Sequence, residues 1–85
     1  MIDSRRKLEV ISARAFANRL NECLDSADTP SQIRERAVIL SKVLDLPRQQ
    51  AWSLLEGHVI PDLDVLCRIA EEFEVDVHWL AGQDI

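Results

Sequence analysis

Apolar residues recur every three or four positions along most of the chain, which is the spacing of one face of an α-helix. The clearest example lies in residues 15–27, where Phe16, Leu20 and Leu24 are four positions apart. A second stripe consists of Ile33, Ala37, Leu40, Ser41 and Leu44. No alternating run of apolar and polar residues bounded by turns indicates a strand. The pattern therefore predicts an all-α chain.

Two prolines mark the predicted ends of the second helix. In TPSQ at 29–32, Thr29 is the expected N-cap, because its side-chain oxygen can accept from an amide that the helix leaves unpaired. Pro30 fits the first helical position, where no amide hydrogen is needed. The residue before a proline is disfavoured in helical geometry, so Pro47 is expected to end this helix near Asp45.

Caps of the same kind bound the last three predicted helices. Pro47 is well placed to open a third helix over residues 48–56. The remaining signals are Gly57 as a left-handed cap after the third helix, Asp62 and Asp64 at the positive end of the fourth, and Asp76 and Gly82 at the two ends of the fifth. The fourth helix is predicted to bury Leu63, Leu66, Cys67, Ile69, Ala70 and Phe73, and the fifth to be anchored by Val77, Trp79 and Leu80.

This pattern predicts one domain over residues 15–82, preceded by an extension at 1–14 and followed by a short tail at 83–85. The extension leaves three interpretations open: it lengthens the first helix, pairs with a partner, or is disordered. Its basic cluster Arg5, Arg6 and Lys7 is either an arm that reaches a nucleic-acid groove or a solubilising terminus. No effector domain is expected after residue 82.

The charge of the chain is unevenly distributed. With 85 residues, 47% of them apolar and 29% charged, the chain suits one small globular domain, and its net charge is -5. Residues 1–50 hold nine basic and seven acidic side chains, whereas residues 51–85 hold one basic and eight acidic ones. A surface built from the first half could therefore meet phosphate while the second half faces away.

Several classes of function have no support in the sequence. No stretch is long and apolar enough for a bilayer or a signal peptide, so we expect a cytoplasmic protein without membrane contact. Cys23 and Cys67 are expected to be reduced core residues, and the only histidines, His58 and His78, form no metal cluster with them. Without a catalytic constellation or a glycine-rich phosphate loop, we expect neither an enzyme nor a cofactor.

The second half of the chain contains a spaced set of residues that is typical of one family of DNA-binding domains. The set consists of Leu40, Ser41, Leu44, Leu46, Gln49, Ala51, Leu54, Gly57 and Pro61, then the run from Leu66 to Ala70, Val75, and the pair Trp79 and Leu80. On this pattern, residues 15–82 resemble the Cro/repressor-type helix-turn-helix family, also called the xenobiotic-response-element type. The resemblance implies a compact five-helix, lambda-repressor-like DNA-binding domain.

In that family the third helix enters the major groove of DNA, with its N-terminal residues facing base edges. The resemblance thus implies that Arg48, Gln49 and Gln50 read bases, that Trp52 lies on the outward face, and that Arg36, Lys42 and Ser53 position the DNA backbone. A glutamine amide matches the N6 and N7 atoms of adenine, and a guanidinium can donate to two acceptors on guanine. The implied function is a repressor-like transcriptional regulator that binds double-stranded operator DNA as a homodimer through helix 48–56.

A second function remains open, namely a protein-interaction module of the same fold with little or no DNA binding, such as an antirepressor or an adaptor. Its contact surface would comprise Trp52, Leu55 and the acidic half of the chain, since tryptophan is enriched in interface hot spots. Interpretations without a binding role also remain open for these side chains. In them, Trp52 lies partly in the core, and Gln49 and Gln50 are ordinary solvated helix surface. DNA binding that weakens steeply with salt would favour the regulator.

Overall fold

Five α-helices and no strand occur in residues 8–83, which are the residues that the computed structural model describes. They are α1 (Ala13–Ser26), α2 (Ile33–Leu44), α3 (Arg48–Glu56), α4 (Leu63–Phe73) and α5 (Val77–Leu80). The radius of gyration of 12.6 Å is close to the roughly 12 Å expected of a compact globule of this length. None of the helices in this range is long and apolar enough to span a membrane. The all-α prediction is confirmed.

Helix α1 begins two residues before the predicted start because a serine caps it. The Ser12 hydroxyl oxygen accepts a hydrogen bond of 3.0 Å from the Ala15 amide, and Ser12 itself has extended backbone geometry. This satisfies one of the amides that the first turn of a helix leaves unpaired. Within residues 8–83, α4 and α5 are capped in the same way, by an N-cap side chain that bonds the amide of the third residue beyond it.

The segment before α1 packs against the chain's own C-terminal end. Ile11 donates its amide hydrogen to the Ala81 carbonyl at 2.9 Å, and Leu8 and Val10 are partly buried against the core. Residues 8–12 therefore do not lengthen the first helix. The basic cluster Arg5, Arg6 and Lys7 lies outside the described residues.

The predicted start of the second helix is wrong. Helix α2 begins at Ile33 with Gln32 as its N-cap, and no side chain bonds its first amides. Thr29 serves the preceding helix instead, because its hydroxyl donates to the Leu24 carbonyl at 2.9 Å. The same carbonyl also accepts from the Thr29 amide at 3.3 Å. The threonine is thus used at the C-terminal end of α1, and α2 begins four residues later.

The connection between α2 and α3 and the bounds of α3 agree with the prediction. Asp45 ends α2 in the left-handed region, with φ of 57°. Pro47 precedes α3 with φ of −58°, close to the value that its ring imposes. Gly57 then closes α3 with φ of 78°, a conformation that an L side chain rarely adopts. The short α3 is consequently held between two residues with restricted or unusual backbone geometry.

The caps of the last two helices are confirmed, and the predicted buried face of α4 is wrong at two positions. Asp62 accepts from the Val65 amide at 2.9 Å, and Asp76 accepts from the amides of His78 and Trp79. The buried residues of α4 are Val65, Leu66, Ile69 and Ala70, with Phe73 half-buried. Leu63 and Cys67, both predicted to be buried, are exposed. They lie four residues apart, so one rotation of the helix turns both outward.

Side chains from all five helices meet in a single core. Its largest fully buried members are Phe16, Leu20, Leu24, Leu40, Leu44, Leu54, Leu66, Ile69 and Leu80. Trp79 is half-buried beside this core, and the Arg19 guanidinium lies 5.2 Å from the centroid of its ring. Arg19 also donates to the Trp79 carbonyl at 2.6 Å. This arginine thus fastens α5 to α1.

Candidate nucleic-acid interface

A groove of about 460 Å³ runs between α2 and α3. It is lined by Arg34, Ala37, Arg48, Gln49 and Trp52. Ala37 is buried and forms part of its floor, whereas the other four side chains are exposed. The groove therefore combines two cationic groups, one amide and one indole around a small apolar floor.

The first turn of α3 presents polar groups that the protein does not use internally. Arg48, Gln49 and Gln50 are all exposed, and none of the three side chains has a hydrogen-bond partner within residues 8–83. Their donors and acceptors are accordingly available to a ligand. Ala51, Leu54 and Leu55 form the opposite, buried side of this helix.

Trp52 and Ser53 occupy the middle of α3. The Trp52 side chain is exposed, with 41% of the residue accessible, and its ring centroid lies 6.0 Å from that of His58. Because the residue is exposed, this position does not agree with the interpretation that Trp52 lies partly in the core. Ser53 is half-buried, and its carbonyl accepts from the His58 amide at 3.0 Å. Leu55, assigned to the contact surface of the alternative function, is buried in the core and cannot contribute there.

Arg36 must be removed from the candidate interface. Only 4% of this residue is accessible, and its guanidinium is directed at groups of the α1–α2 region. It donates to the Pro30 carbonyl at 2.6 Å, to the Asn21 side-chain oxygen at 2.9 Å, and to the Asp25 carboxylate. A buried guanidinium with these acceptors cannot also reach a phosphate. The predicted role of Arg36 in positioning the DNA backbone is wrong.

Arg34 is the groove residue that the sequence-based prediction missed. Two residues along a helix are separated by about 200° around its axis, so Arg34 and Arg36 point to opposite sides of α2. Their positions relative to Ala37 distinguish the two arginines. Ala37 lines the groove, and Arg34 precedes it by about one helical turn, on the same side of α2. Arg34 has no ion pair or hydrogen bond within residues 8–83, in contrast to Arg36.

Lys42 and His58 lie at the edges of the candidate interface. Lys42 is exposed in the last turn of α2 and does not line the groove. His58 is exposed in the loop after α3, with its Nε2 atom 4.0 Å from a carboxylate oxygen of Glu56. That carboxylate places a negative charge near the C-terminal end of α3. The positive part of the interface is therefore at the opposite end, beside Arg34 and Arg48.

Hydrogen bonds hold the α2–α3 connection in one geometry. The Ser41 hydroxyl donates to the Leu46 carbonyl at 2.7 Å, and the Leu46 amide donates to the Ser41 carbonyl at 3.1 Å. From α4, the Arg68 guanidinium donates to the Leu44 carbonyl at the end of α2. These bonds fix the direction in which α3 leaves the turn. The exposed residues of α3 are thus presented on a rigid support.

The Asn21 side chain supports the other end of α3. Its amide nitrogen donates to the carbonyls of Ala17 at 2.9 Å and Leu55 at 3.2 Å, while its oxygen accepts from Arg36. One side chain therefore joins α1, the buried guanidinium of α2 and the last turn of α3. Arg36 contributes to the interface only through this network, by fixing the helices that form the groove.

The described residues do not contain the side-chain groupings that a metal centre would need. Within residues 8–83, no three histidine, cysteine, aspartate or glutamate side chains are grouped so that they could hold an ion. Cys23 is buried, and burial together with the nearby Glu22 charge raises the pKa of its thiol. Neither cysteine forms a disulfide.

Comparison with known proteins adds no relative from which a role could be transferred. No model of a protein family matches the sequence, and neither a curated protein nor a solved structure shows significant similarity to the chain.

Proposed function

We propose that this chain is a sequence-specific DNA-binding transcriptional regulator, repressor-like in its action, which binds operator DNA as a homodimer through α3. In this proposal, α2 and α3 form the helix-turn-helix of a lambda-repressor-like domain that works in the cytoplasm. The observation that carries the proposal is the groove between them. The guanidinium groups of Arg34 and Arg48 lie there beside the amide of Gln49, and none of the three side chains has a partner among residues 8–83.

The chemistry of these groups suits double-stranded DNA. Guanidinium groups donate to phosphate oxygens or to the O6 and N7 atoms of guanine, and a glutamine amide pairs with the N6 and N7 atoms of adenine. An α-helix with its side chains is about 10–12 Å across, so the first turn of α3 fits the major groove, which is about 12 Å wide. We assign Arg48, Gln49 and Gln50 to base contacts, and Arg34, Lys42 and Ser53 to the backbone.

The alternative is a protein-interaction module that uses the same face. One observation favours it: Trp52 is exposed at the rim of the groove, and a large aromatic side chain is typical of an interface anchor. In the regulator proposal the same indole packs against a sugar or the methyl group of thymine. The two proposals differ in whether binding depends on phosphate neutralisation.

The test is selection of bound duplexes from a random-sequence library, followed by titration of the selected duplex at two salt concentrations. We expect saturable binding that weakens at the higher salt, and the double variant Arg48→Ala with Gln49→Ala should lose the preference for the selected sequence while keeping its helicity. The control is Arg14→Ala, which removes an exposed cation outside the groove. Absence of saturable binding at low salt would contradict the proposal, as would selectivity retained by the double variant.

A further inference from the structure

The groove between α2 and α3 has the volume of a site for a small ligand. Its volume of about 460 Å³ lies within the range of about 300–1,000 Å³ that is usual for pockets holding small molecules. Ala37 is only 2% accessible and contributes a short side chain to the floor. This leaves room between the longer side chains of Arg34, Arg48 and Trp52. The groove can therefore hold a molecule much smaller than a DNA duplex.

The charge of the groove suits a terminal phosphate. Arg34 and Arg48 have no ion pair or hydrogen bond within residues 8–83, and none of the residues that line the groove is acidic. A guanidinium can donate two parallel hydrogen bonds to a phosphate. A phosphate monoester carries a charge of about −1.5 to −2 at pH 7, whereas each phosphodiester of DNA carries a single negative charge. Two guanidinium groups thus match the charge of one terminal phosphate.

Trp52 gives the groove a flat aromatic surface at its rim. The residue is 41% accessible, and His58, which does not line the groove, forms an aromatic pair with it at 6.0 Å between ring centroids. A nucleobase can stack on an aromatic side chain only through an uncovered face. Bases inside a duplex are covered on both faces by their neighbours, whereas the base of a free nucleotide is open. The exposed indole therefore favours an unpaired base.

Gln49 supplies a group that can recognise the edge of that base. Its amide offers both donors and an acceptor, and none of them is bonded within residues 8–83. This combination matches the N6 and N7 atoms of adenine. We propose that the groove binds a free adenine nucleotide with a terminal phosphate. The base stacks on Trp52 and bonds Gln49, and the phosphate lies between the guanidinium groups of Arg34 and Arg48.

A bound nucleotide excludes DNA from the same face. Arg48 and Gln49 are the assigned readers of bases, and their donors cannot serve a nucleotide and a base pair at once. At a nucleotide concentration about nine times its dissociation constant, only about a tenth of the grooves are empty, so the apparent affinity for operator DNA should fall about tenfold. This regulation rests on the proposed function, whereas the nucleotide site itself does not.

The first test is a titration of the full chain with adenosine 5′-monophosphate, followed by NMR of the amide and indole groups. The chain has two tryptophans, and we expect the indole signal of Trp52 to shift while that of Trp79, half-buried beside the core, stays unchanged. Adenosine and inorganic phosphate, each added alone, should bind at least about tenfold more weakly. Equally tight binding of inorganic phosphate would overturn the proposal, because the groove would then hold any small anion.

Substitutions test the two halves of the site separately. Trp52→Ala and Arg34→Ala should each weaken nucleotide binding at least about fivefold. Both residues are exposed, so the fold should be retained. The matched control is Arg14→Ala, which removes an exposed cation outside the groove and should bind the nucleotide like the parent protein. Unchanged affinity in either groove variant would overturn the proposal.

A single-stranded oligoadenylate of about six nucleotides without a terminal phosphate separates a free nucleotide from a nucleic-acid strand as the ligand. Tighter binding of this strand than of adenosine 5′-monophosphate would overturn the proposal in favour of single-stranded nucleic acid.

The last test adds the nucleotide to the complex with a selected duplex, where we expect competition. Nucleotide binding without competition would overturn the regulatory step. If no duplex is bound while nucleotide binding still depends on Arg34 and Trp52, the proposed function fails and the nucleotide site stands.

Discussion

Two arginines at neighbouring positions of α2 have different roles because of where their guanidinium groups lie. Arg36 is buried and donates to the Pro30 carbonyl, to Asn21 and to Asp25, so its charge contributes to the fold. Arg34 faces the groove and has no partner within residues 8–83. The same residue type therefore supports the protein at one position and is available to a ligand at the other.

We expect Arg36→Ala to lower the free energy of unfolding by about 2–4 kcal/mol, because it removes a buried side chain and leaves partly buried carbonyl and amide oxygens without a donor. Arg34→Ala should change the free energy of unfolding by less than about 0.5 kcal/mol, as for most exposed positions. Urea denaturation followed by circular dichroism measures both. DNA affinity should respond in the opposite order, with the folded Arg36 variant closer to the parent protein. Equal destabilisation by the two substitutions would contradict these assignments.

The two cysteines should differ strongly in their reactivity toward a thiol reagent. Cys67 is exposed, whereas burial and the charge of Glu22 raise the pKa of the Cys23 thiol, so less of its reactive thiolate form is present. We expect Cys23 to react at least about a hundredfold more slowly, which corresponds to an opening free energy of about 2.8 kcal/mol. Cys67→Ser should remove the fast phase and Cys23→Ser the slow one. Two phases of similar rate would show that Cys23 is not protected by the fold.

The C-terminal end of α4 offers a test of local backbone strain. Glu74 follows this helix with φ of 56°, a left-handed conformation that suits glycine, and its negative charge lies at the negative end of the helix. Glu74→Gly should therefore raise the free energy of unfolding by about 1 kcal/mol. Glu72→Gly removes the same charge from within α4 and should lower that free energy by about 0.5–1 kcal/mol. Thermal unfolding of the two variants should show melting temperatures that move in opposite directions.

Among the helices, the sequence predicted the bounds best where a single residue determines the local backbone geometry. The bounds of α3 follow from Pro47 and Gly57. The proline ring restricts φ in any environment, and the absence of a Cβ lets glycine adopt a positive φ. The start of α2 was missed because Thr29 could cap either of two adjacent helices. The Thr29 hydroxyl bonds the Leu24 carbonyl, an acceptor that becomes available only when α1 ends beside it.

The candidate interface was predictable to the extent that it depends on helical phase. Arg48, Gln49 and Gln50 lie on the exposed side of α3, and this side follows from the apolar spacing of Ala51 and Leu54. The burial of Arg36 could not be predicted in this way, because its acceptors belong to α1 and to the α1–α2 loop. The exposure of Leu63 could not be predicted either. Leucine is usually a core residue, and only the packing of α4 against the other helices turns this side chain outward.

The uneven distribution of charge is a property of the whole molecule, and in the proposed function it should affect the binding of DNA. The groove contains the guanidinium groups of Arg34 and Arg48, neither of which is paired within residues 8–83, and Lys42 is a second exposed cation on α2. Since Arg34 and Lys42 are the cations assigned to the backbone, each copy neutralises about two phosphates, and a dimer should show a slope of log affinity against log salt of about −4. A much shallower slope would mean that Arg34 and Lys42 do not contact phosphate.

The acidic end of α4 should influence the rate of association without touching DNA. Glu71 and Glu72 are exposed and lie in the acidic half of the chain, so their charges oppose the approach of a polyanion. The variant Glu71→Gln with Glu72→Gln should raise the association rate about two- to fivefold at low salt and leave the dissociation rate unchanged. At high salt the difference should disappear, because screening shortens the reach of these charges to a few ångströms.

Stopped-flow fluorescence of Trp52 can follow this association, since its indole lies at the rim of the groove. Trp79, half-buried against the core, also fluoresces, and a Trp52→Phe variant measures this background fluorescence by itself. If the glutamine substitutions changed the dissociation rate instead, the acidic end of α4 would have to contact the bound DNA. That result would require a docking geometry different from the one proposed, in which the N-terminal residues of α3 face the bases.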